Sequence, residues 1–372
     1  MTRVYILGEA RGTYRIQEFI KLLLDNRKRY KVYYDSLTYG NPVLRYLKSL
    51  FINPFVILCA NVVYINTLNV DVNILYELFW AKIFRKKILV DYYVSVYDTV
   101  VLDRCWFKET SFLAKLAMLC DKFFHFCGTK LLYLTEDERD YYMRLAGCEK
   151  FAEKAEILPL GVERRPQVDC SFVNSGGNEL SVCWWGSYQP LHGMDKIIGA
   201  AKILSEKNIP VHFFLFGNDA KKGAEYKSKI DENGLSEICF ISDDYTFSNG
   251  KLAPFLKTHC DVALGAFGDS SKARTVIINK ALEACTMGCL VITGRSAGME
   301  RYFDHGNSSI FICESTSEGI AETIEQIMKS DRGTLKNRIK VTEECFEKNF
   351  EMHLMKERFQ AALDSLKKAD KA

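Results

Sequence analysis

Residues 183–201 read CWWGSYQPLHGMDKIIGAA. An apolar run ends at Gly186, and Pro190 and Gly193 punctuate a short loop. An amphipathic helix then begins near Met194. Strand, glycine at the strand end, loop and helix make one βα unit, and the same unit recurs on both sides. Downstream the pattern predicts strands at Val211–Phe216, Val262–Leu264, Leu290–Thr293 and Ile310–Ile312. Helices are expected over Met194–Glu206 and Ile278–Met287, and helical, charged sequence from Thr316 to Lys371. Upstream, strands are expected at Val4–Leu7, Lys31–Tyr34, Val62–Ile65, Ile88–Asp91, Leu131–Leu134 and Ile157–Leu160. The helices between them cover about Tyr14–Leu24, Ile74–Phe84, Leu113–Phe126 and Glu136–Leu145. Such alternation means α/β architecture with parallel sheets covered by helices on both faces.

A chain of 372 residues exceeds one ordinary core. The stretch Glu163–Asn178 is turn-rich and aperiodic, so it reads as the boundary between two doubly wound domains. The expected division is 1–165, 170–345, and a C-terminal helix over 346–372 that packs back toward the first domain. Two such units in tandem put a cleft between them, and ligands bind at the carboxyl ends of the strands.

The net charge is +3, from 50 Lys and Arg against 47 Asp and Glu. Residues 1–165 hold 25 basic and 19 acidic side chains, so the excess sits in the N-terminal half. That favours an anionic membrane surface or a phosphate-bearing acceptor. Nucleic acid is excluded as a partner, because it demands a far more basic domain and a recognisable module. The 13 cysteines are scattered and mostly sit in apolar stretches such as those around Cys59, Cys120, Cys183, Cys260 and Cys289. They read as buried free thiols of a reducing compartment. No Cys-x-x-Cys pair occurs and the histidines lack ligand spacing, so no metal site is expected. The start MTRVYILGEARG reads as a first strand and not a signal peptide, which points to the cytoplasm. Ser49 to Val70 carries no charge. Its length could span a bilayer, but Asn53, Pro54, Asn61, Asn66 and Asn69 are costly in lipid. It splits into a buried helix and the strand Val62–Ile65, with a membrane-dipping apolar helix as the other reading.

Four segments carry candidate chemistry. Gly8 to Gly12 follow the first strand and precede a helix, where glycines let a phosphate or sugar approach the backbone. The loop after Ile88–Asp91, within VDYYVSVYDTVVLDR (90–104), gathers Asp91, Asp98 and Asp103 after a strand end. The other two are residues 183–201 and SSKARTVIINKALEACTMGCLVITG (270–294).

The last two resemble the donor-binding half of family 4 of the retaining glycosyltransferases, which have the GT-B architecture. At the family's diphosphate-binding Arg and Lys this chain has Ser187 and His192, after Gly186. A subgroup reading Trp-Gly-x-Tyr-x-Pro-Leu-His-Gly is similar here. Glu283 matches the second of the family's paired glutamates, implied to grip the donor ribose, whose vicinal diol suits two acceptor oxygens. The first glutamate is replaced by Thr275. Arg274 and Lys280 would supply the missing positive charge. The subgroup with Val-Ile-x-Asn-Lys before its Glu resembles this chain through Asn279. Phe216 and Gly217 stand where the family meets the nucleobase, and Gly298-Met299-Glu300 and Leu160-Gly161-Val162 also fit its phrases. Asp98, in a phrase similar to the same subgroup, is the candidate for contacting the acceptor hydroxyl or steadying the reacting sugar. Gly12, from the glycine turn after the first strand, is the further candidate for the donor site.

The resemblance implies transfer of a hexose-type sugar from a nucleotide-diphosphate-sugar to a glycan or lipid-linked acceptor, with retention of anomeric configuration. It implies no cofactor and no metal, since no Asp-x-Asp motif is present. Cell-surface polysaccharide or glycoconjugate synthesis is the expected setting, with peripheral association at an anionic membrane. Two other readings stay open: a nucleotide-sugar 2-epimerase, and a non-catalytic partner subunit of a glycosyltransferase.

Overall fold

The computed structural model describes residues 1–7, 14–34, 41–68, 72–303 and 308–368. They divide into two units, one of residues 1–161 with 352–372 and the other of residues 162–351.

The first unit runs β1 (Thr2–Leu7), α1 (Tyr14–Asp25), β2 (Tyr30–Tyr34), α2 (Pro42–Phe51), α3 (Asn53–Cys59), β3 (Val62–Asn66), α4 (Val72–Ile83), β4 (Lys87–Asp91), α5 (Phe112–Cys127), β5 (Lys130–Tyr133), α6 (Glu136–Ala146) and β6 (Ala155–Ile157). Its six strands are parallel, in the order β2-β1-β3-β4-β5-β6. Strand alternation sorts the core into two layers. Tyr5, Leu7, Val63, Ile65, Ile88 and Val90 pack toward α3, α4 and α5. Val4, Ile6, Val62, Tyr64 and Leu89 pack toward α1 and the final helix of the chain. Helix starts follow local chemistry: the Ser111 hydroxyl accepts from the Ala114 amide, and that of Thr135 from Glu138.

The second unit contains α7 (Ser171–Asn174), β7 (Leu180–Trp185), α8 (Met194–Glu206), β8 (Val211–Phe216), α9 (Ala220–Glu232), β9 (Cys239–Ser242), α10 (Leu252–His259), β10 (Val262–Leu264), α11 (Asn279–Cys285), β11 (Leu290–Gly294), α12 (Ala297–Tyr302), β12 (Phe311–Cys313), α13 (Ser317–Lys329) and α14 (Arg332–Phe350). The sheet order β12-β11-β10-β7-β8-β9 is parallel throughout. This is a doubly wound order whose direction reverses between β7 and β10, so the loops after those strands flank the switch point. The short strand β9 is one that apolar alternation did not reveal. Residues 163–178 lie within this unit: the Val168 amide donates to the Met287 carbonyl at 2.8 Å. Position 346 falls inside α14, which continues to Phe350 and stops where Glu351 turns extended.

The last helix, α15 (Met352–Lys368), belongs to the first unit. Phe359 packs 4.7 Å from the Phe19 ring of α1, and Arg29 pairs with Asp364 at 3.0 Å.

Two expectations need correction. The helical part of 49–70 is not a buried helix: Ser49, Asn53 and Ile57, spaced four apart, are buried, Val56 is partly buried against the core, and Phe51 and Phe55 are exposed. Cys59 at the end of the same helix is likewise exposed, although nine of the other cysteines are buried and none is paired. No described helix is long and apolar enough to cross a membrane.

Candidate functional site

In the second unit β7 and β10 deliver two loops to the switch point, and the loops bond to each other. The Phe267 amide donates to the His192 carbonyl at 3.2 Å, and the Gly268 amide to Leu191 at 2.9 Å. Gly186 ends β7 with φ of 141°, a backbone state that L side chains rarely adopt. A Cβ there would lie 3.1 Å from the Lys280 Nζ, so the glycine leaves the strand end open to that ammonium.

Lys280, in the first turn of α11, is 6% exposed. Its Nζ sits 3.9 Å from the centroid of the Trp184 ring and has no hydrogen-bond partner among the described residues. Burial pushes the ammonium well below its ordinary value, and only Glu283 acts in the opposite sense. His192 stands edge-on to the same indole at 5.8 Å. Burial, and then the charge of Lys280, hold its imidazole down to about 2, so it is the neutral ring. Its Nδ1 is buried without a hydrogen-bond partner among the described residues. An uncompensated cation, a neutral imidazole and a bare strand end form a receptacle for an anion.

One turn along α11, Glu283 is engaged on both oxygens. Oε1 accepts from Arg165, and Oε2 accepts from the Trp185 indole at 3.2 Å. The Arg165 guanidinium stacks 4.1 Å over the Phe247 ring, which is itself edge-on to Trp185. Each carboxylate oxygen keeps a second lone pair for a hydroxyl donor. The sequence reading did not include Arg165 or Phe247. Arg165 lies in the turn-rich stretch and Phe247 in a loop, and neither position shows a periodic signal.

The remaining expected donor residues gather around this centre unevenly. Ser187 is half-buried in the loop after Gly186, and Asn279 begins α11. Arg274 is exposed, while Thr275 turns its hydroxyl to the Ser271 carbonyl at 2.7 Å. Gly217 follows β8, and a Cβ on it would fall 2.1 Å from the Tyr188 ring. That close approach lets Tyr188 stack 5.6 Å from Trp184 and donate to Asp243 at 3.0 Å. The Phe216 ring is fully buried, 4.9 Å from both Tyr245 and Phe255.

The other expected residue, Asp98, lies in the first unit. It opens a π-helical turn, Asp98–Asp103, and is 1% exposed. Its Oδ1 accepts from the Tyr141 hydroxyl of α6 at 2.6 Å. The neighbouring carboxylates are engaged as well. Asp91 pairs with buried Arg15 at 2.8 Å and accepts from Tyr64 at 2.6 Å. Asp121 accepts from the Ser95 hydroxyl and from the amides of Val96 and Tyr97. Gly12 lies outside the described residues. Among the described residues no cluster of three or more His, Cys, Asp or Glu could hold a metal.

Residues 179–330 match the family described as "Glycosyl transferases group 1". A sequence search of curated proteins gives no match. Among solved structures, HepE from Anabaena in complex with UDP-glucose is similar with a TM-score of 0.71 at 13% identity, covering 98% of this chain and 100% of that one. Sucrose-phosphate synthase from Thermosynechococcus elongatus is similar with a TM-score of 0.70 at 11% identity, covering 99% and 100%. A UDP-forming trehalose-phosphate synthase from Burkholderia xenovorans has a TM-score of 0.62 at 10% identity, covering 98% and 99%. Residues 179–330 thus carry a glycosyl transferases group 1 domain, and the two parallel six-stranded sheets with helices on their faces have the GT-B fold.

Proposed function

We propose that the enzyme moves a hexose-type sugar from a uridine diphosphate sugar to a glycan or lipid-linked acceptor, with retention at the anomeric carbon, as a family 4 enzyme does. The setting is synthesis of cell-surface polysaccharide or glycoconjugate, in the cytoplasm and peripheral to an anionic membrane. The observation that carries this reading is the buried, unpartnered ammonium of Lys280 at the Gly186 strand end, one helical turn from the Glu283 carboxylate. The spacing suits a diphosphate beside a ribose. Uridine is chosen because HepE is seen with UDP and with UDP-glucose.

In the proposed reaction the bond from the anomeric carbon to the diphosphate breaks and a bond to the acceptor oxygen forms. The acceptor proton is released and nucleoside diphosphate leaves. The transition state is oxocarbenium-like, with negative charge growing on the leaving group. Lys280 meets that charge from a dry site, where a fixed cation is worth most. Neutral His192 and the backbone around Gly186 and Ser187 add hydrogen bonds, and exposed Arg274 adds longer-range attraction. No metal is assigned a role in this proposal, because Lys280 supplies the charge. Glu283 and Asn279 hold the nucleoside, and the first unit takes the acceptor.

A panel of nucleotide sugars with soluble and polyprenyl-linked acceptors tests the proposal. Glycosylated product with free UDP in equal amounts supports it. Epimerised donor formed without acceptor would make the protein an epimerase, and failure to bind any nucleotide would make it a non-catalytic subunit. Either result overturns the proposal.

A further inference from the structure

We infer that the outward face of α2 and α3 docks the protein on an anionic lipid bilayer. The inference deepens the proposed membrane association, on which it rests, by naming the surface.

These helices are built inside out. Their inward residues are Ser49, Asn53 and Ile57. Asn53 donates to the Glu77 carboxylate at 2.6 Å, whose other oxygen accepts from Tyr5 at 3.1 Å. A buried polar network therefore anchors the pair to the unit. Apart from Ile57 and the partly buried Val56, the apolar side chains point the other way: Leu47, Leu50, Phe51 and Phe55 are exposed, with Phe55 at 70%. An amphipathic helix on a globular domain normally does the reverse. Folding gains nothing from these exposed side chains, so the fold itself gives no reason for them. A contiguous apolar surface of this kind marks a contact with a partner or a membrane.

Charge selects the occupant. Residues 41–59 contain Arg45 and Lys48 and no acidic residue. Lys86 donates to the Leu58 carbonyl at 2.7 Å, which sets a further cation at the edge of α3. Lys82 donates to the Phe126 carbonyl at 3.3 Å and lies 4.8 Å from that ring, beside exposed Phe126 and Ile83. Exposed apolar side chains among lysines match the boundary between anionic headgroups and acyl chains. A second copy docked about a two-fold axis would instead bring like charges together. Neither helix is long enough to span a bilayer, so both lie in its surface.

The test is co-sedimentation of the full chain with vesicles of phosphatidylcholine, alone or with a quarter phosphatidylglycerol. The wild type should partition onto the anionic vesicles and be partly released by about 0.5 M NaCl. F51E/F55E should reduce partitioning about ten-fold or more while leaving UDP affinity and the thermal melt unchanged. K82Q/K86Q should lower binding to anionic vesicles and leave the weak binding to phosphatidylcholine as it was. Should F51E/F55E fail to fold, L50Q and F55S singly carry the same comparison. The inference is overturned if the wild type ignores both vesicles, if the glutamate variant partitions like the wild type, or if that variant only splits a wild-type dimer. Loss of transfer with docking intact would count against the proposed function alone, and UDP binding without docking against this surface alone.

Discussion

The Nζ of Lys280 lies 3.9 Å from the centroid of the Trp184 ring, buried and without a hydrogen bond among the described residues. A cation held over an indole face is attracted by the ring quadrupole, but this recovers only part of its lost hydration. The chain thus carries a buried amine that its own fold does not satisfy and whose charged form burial disfavours.

Lys280→Met should therefore separate binding from stability. UDP affinity should fall about 10- to 100-fold, the loss of one charged hydrogen bond worth about 1.5–3 kcal/mol. The urea midpoint should stay level or rise, because a buried charge is replaced by an apolar chain of similar volume. Calorimetric titration and urea melts check the two halves, and an unchanged UDP affinity would remove Lys280 from the site.

The same ammonium makes binding proton-linked. Burial lowers its value in the free protein, and a bound diphosphate favours the charged form, so binding takes up a proton. UDP affinity should weaken as pH rises toward the ordinary lysine value of about 10.4, and the slope should vanish in K280M. Titrations in buffers of different ionisation heat measure the proton uptake directly.

Glu283 is expected to discriminate the sugar of the nucleotide. Wild type should bind UDP about ten-fold more tightly than 2′-deoxy-UDP, the worth of one hydrogen bond to a charged group. E283Q should bind both equally and weakly. Discrimination that survives in E283Q would mean that the ribose is held elsewhere.

His192 predicts an acid-labile fold. Unfolded, it takes up a proton at its ordinary value of 6.5, whereas folded it resists protonation down to about 2. Its contribution is complete above 6.5 and is lost progressively as pH falls. By pH 5 the loss reaches about 2 kcal/mol. Urea melts at neutral pH and at pH 5 should show wild type losing more stability than H192Q by that amount.

Gly217→Ala should cost about 1–3 kcal/mol, because the new methyl must displace the ring of Tyr188. Because Tyr188 stacks on Trp184, the change should also weaken UDP binding. A thermal melt equal to that of wild type would show that the ring moves freely.

Sequence periodicity determined much of this protein. Alternating short apolar runs and amphipathic helices fixed the parallel sheets, since each strand must be covered on both faces. The phrases around Gly186 and Glu283 pointed to the proposed donor site because glycine and carboxylate positions there are local in sequence. Tertiary structure alone decided three other matters. Arg165 reaches Glu283 from a stretch with no periodic signal, a contact 118 residues apart in the chain. Asp98, read as facing substrate, is turned inward onto Tyr141. The apolar residues of α2 and α3 face outward, because periodicity says which residues share a face but not which face turns to the core. Here the buried Asn53–Glu77 bond made that choice.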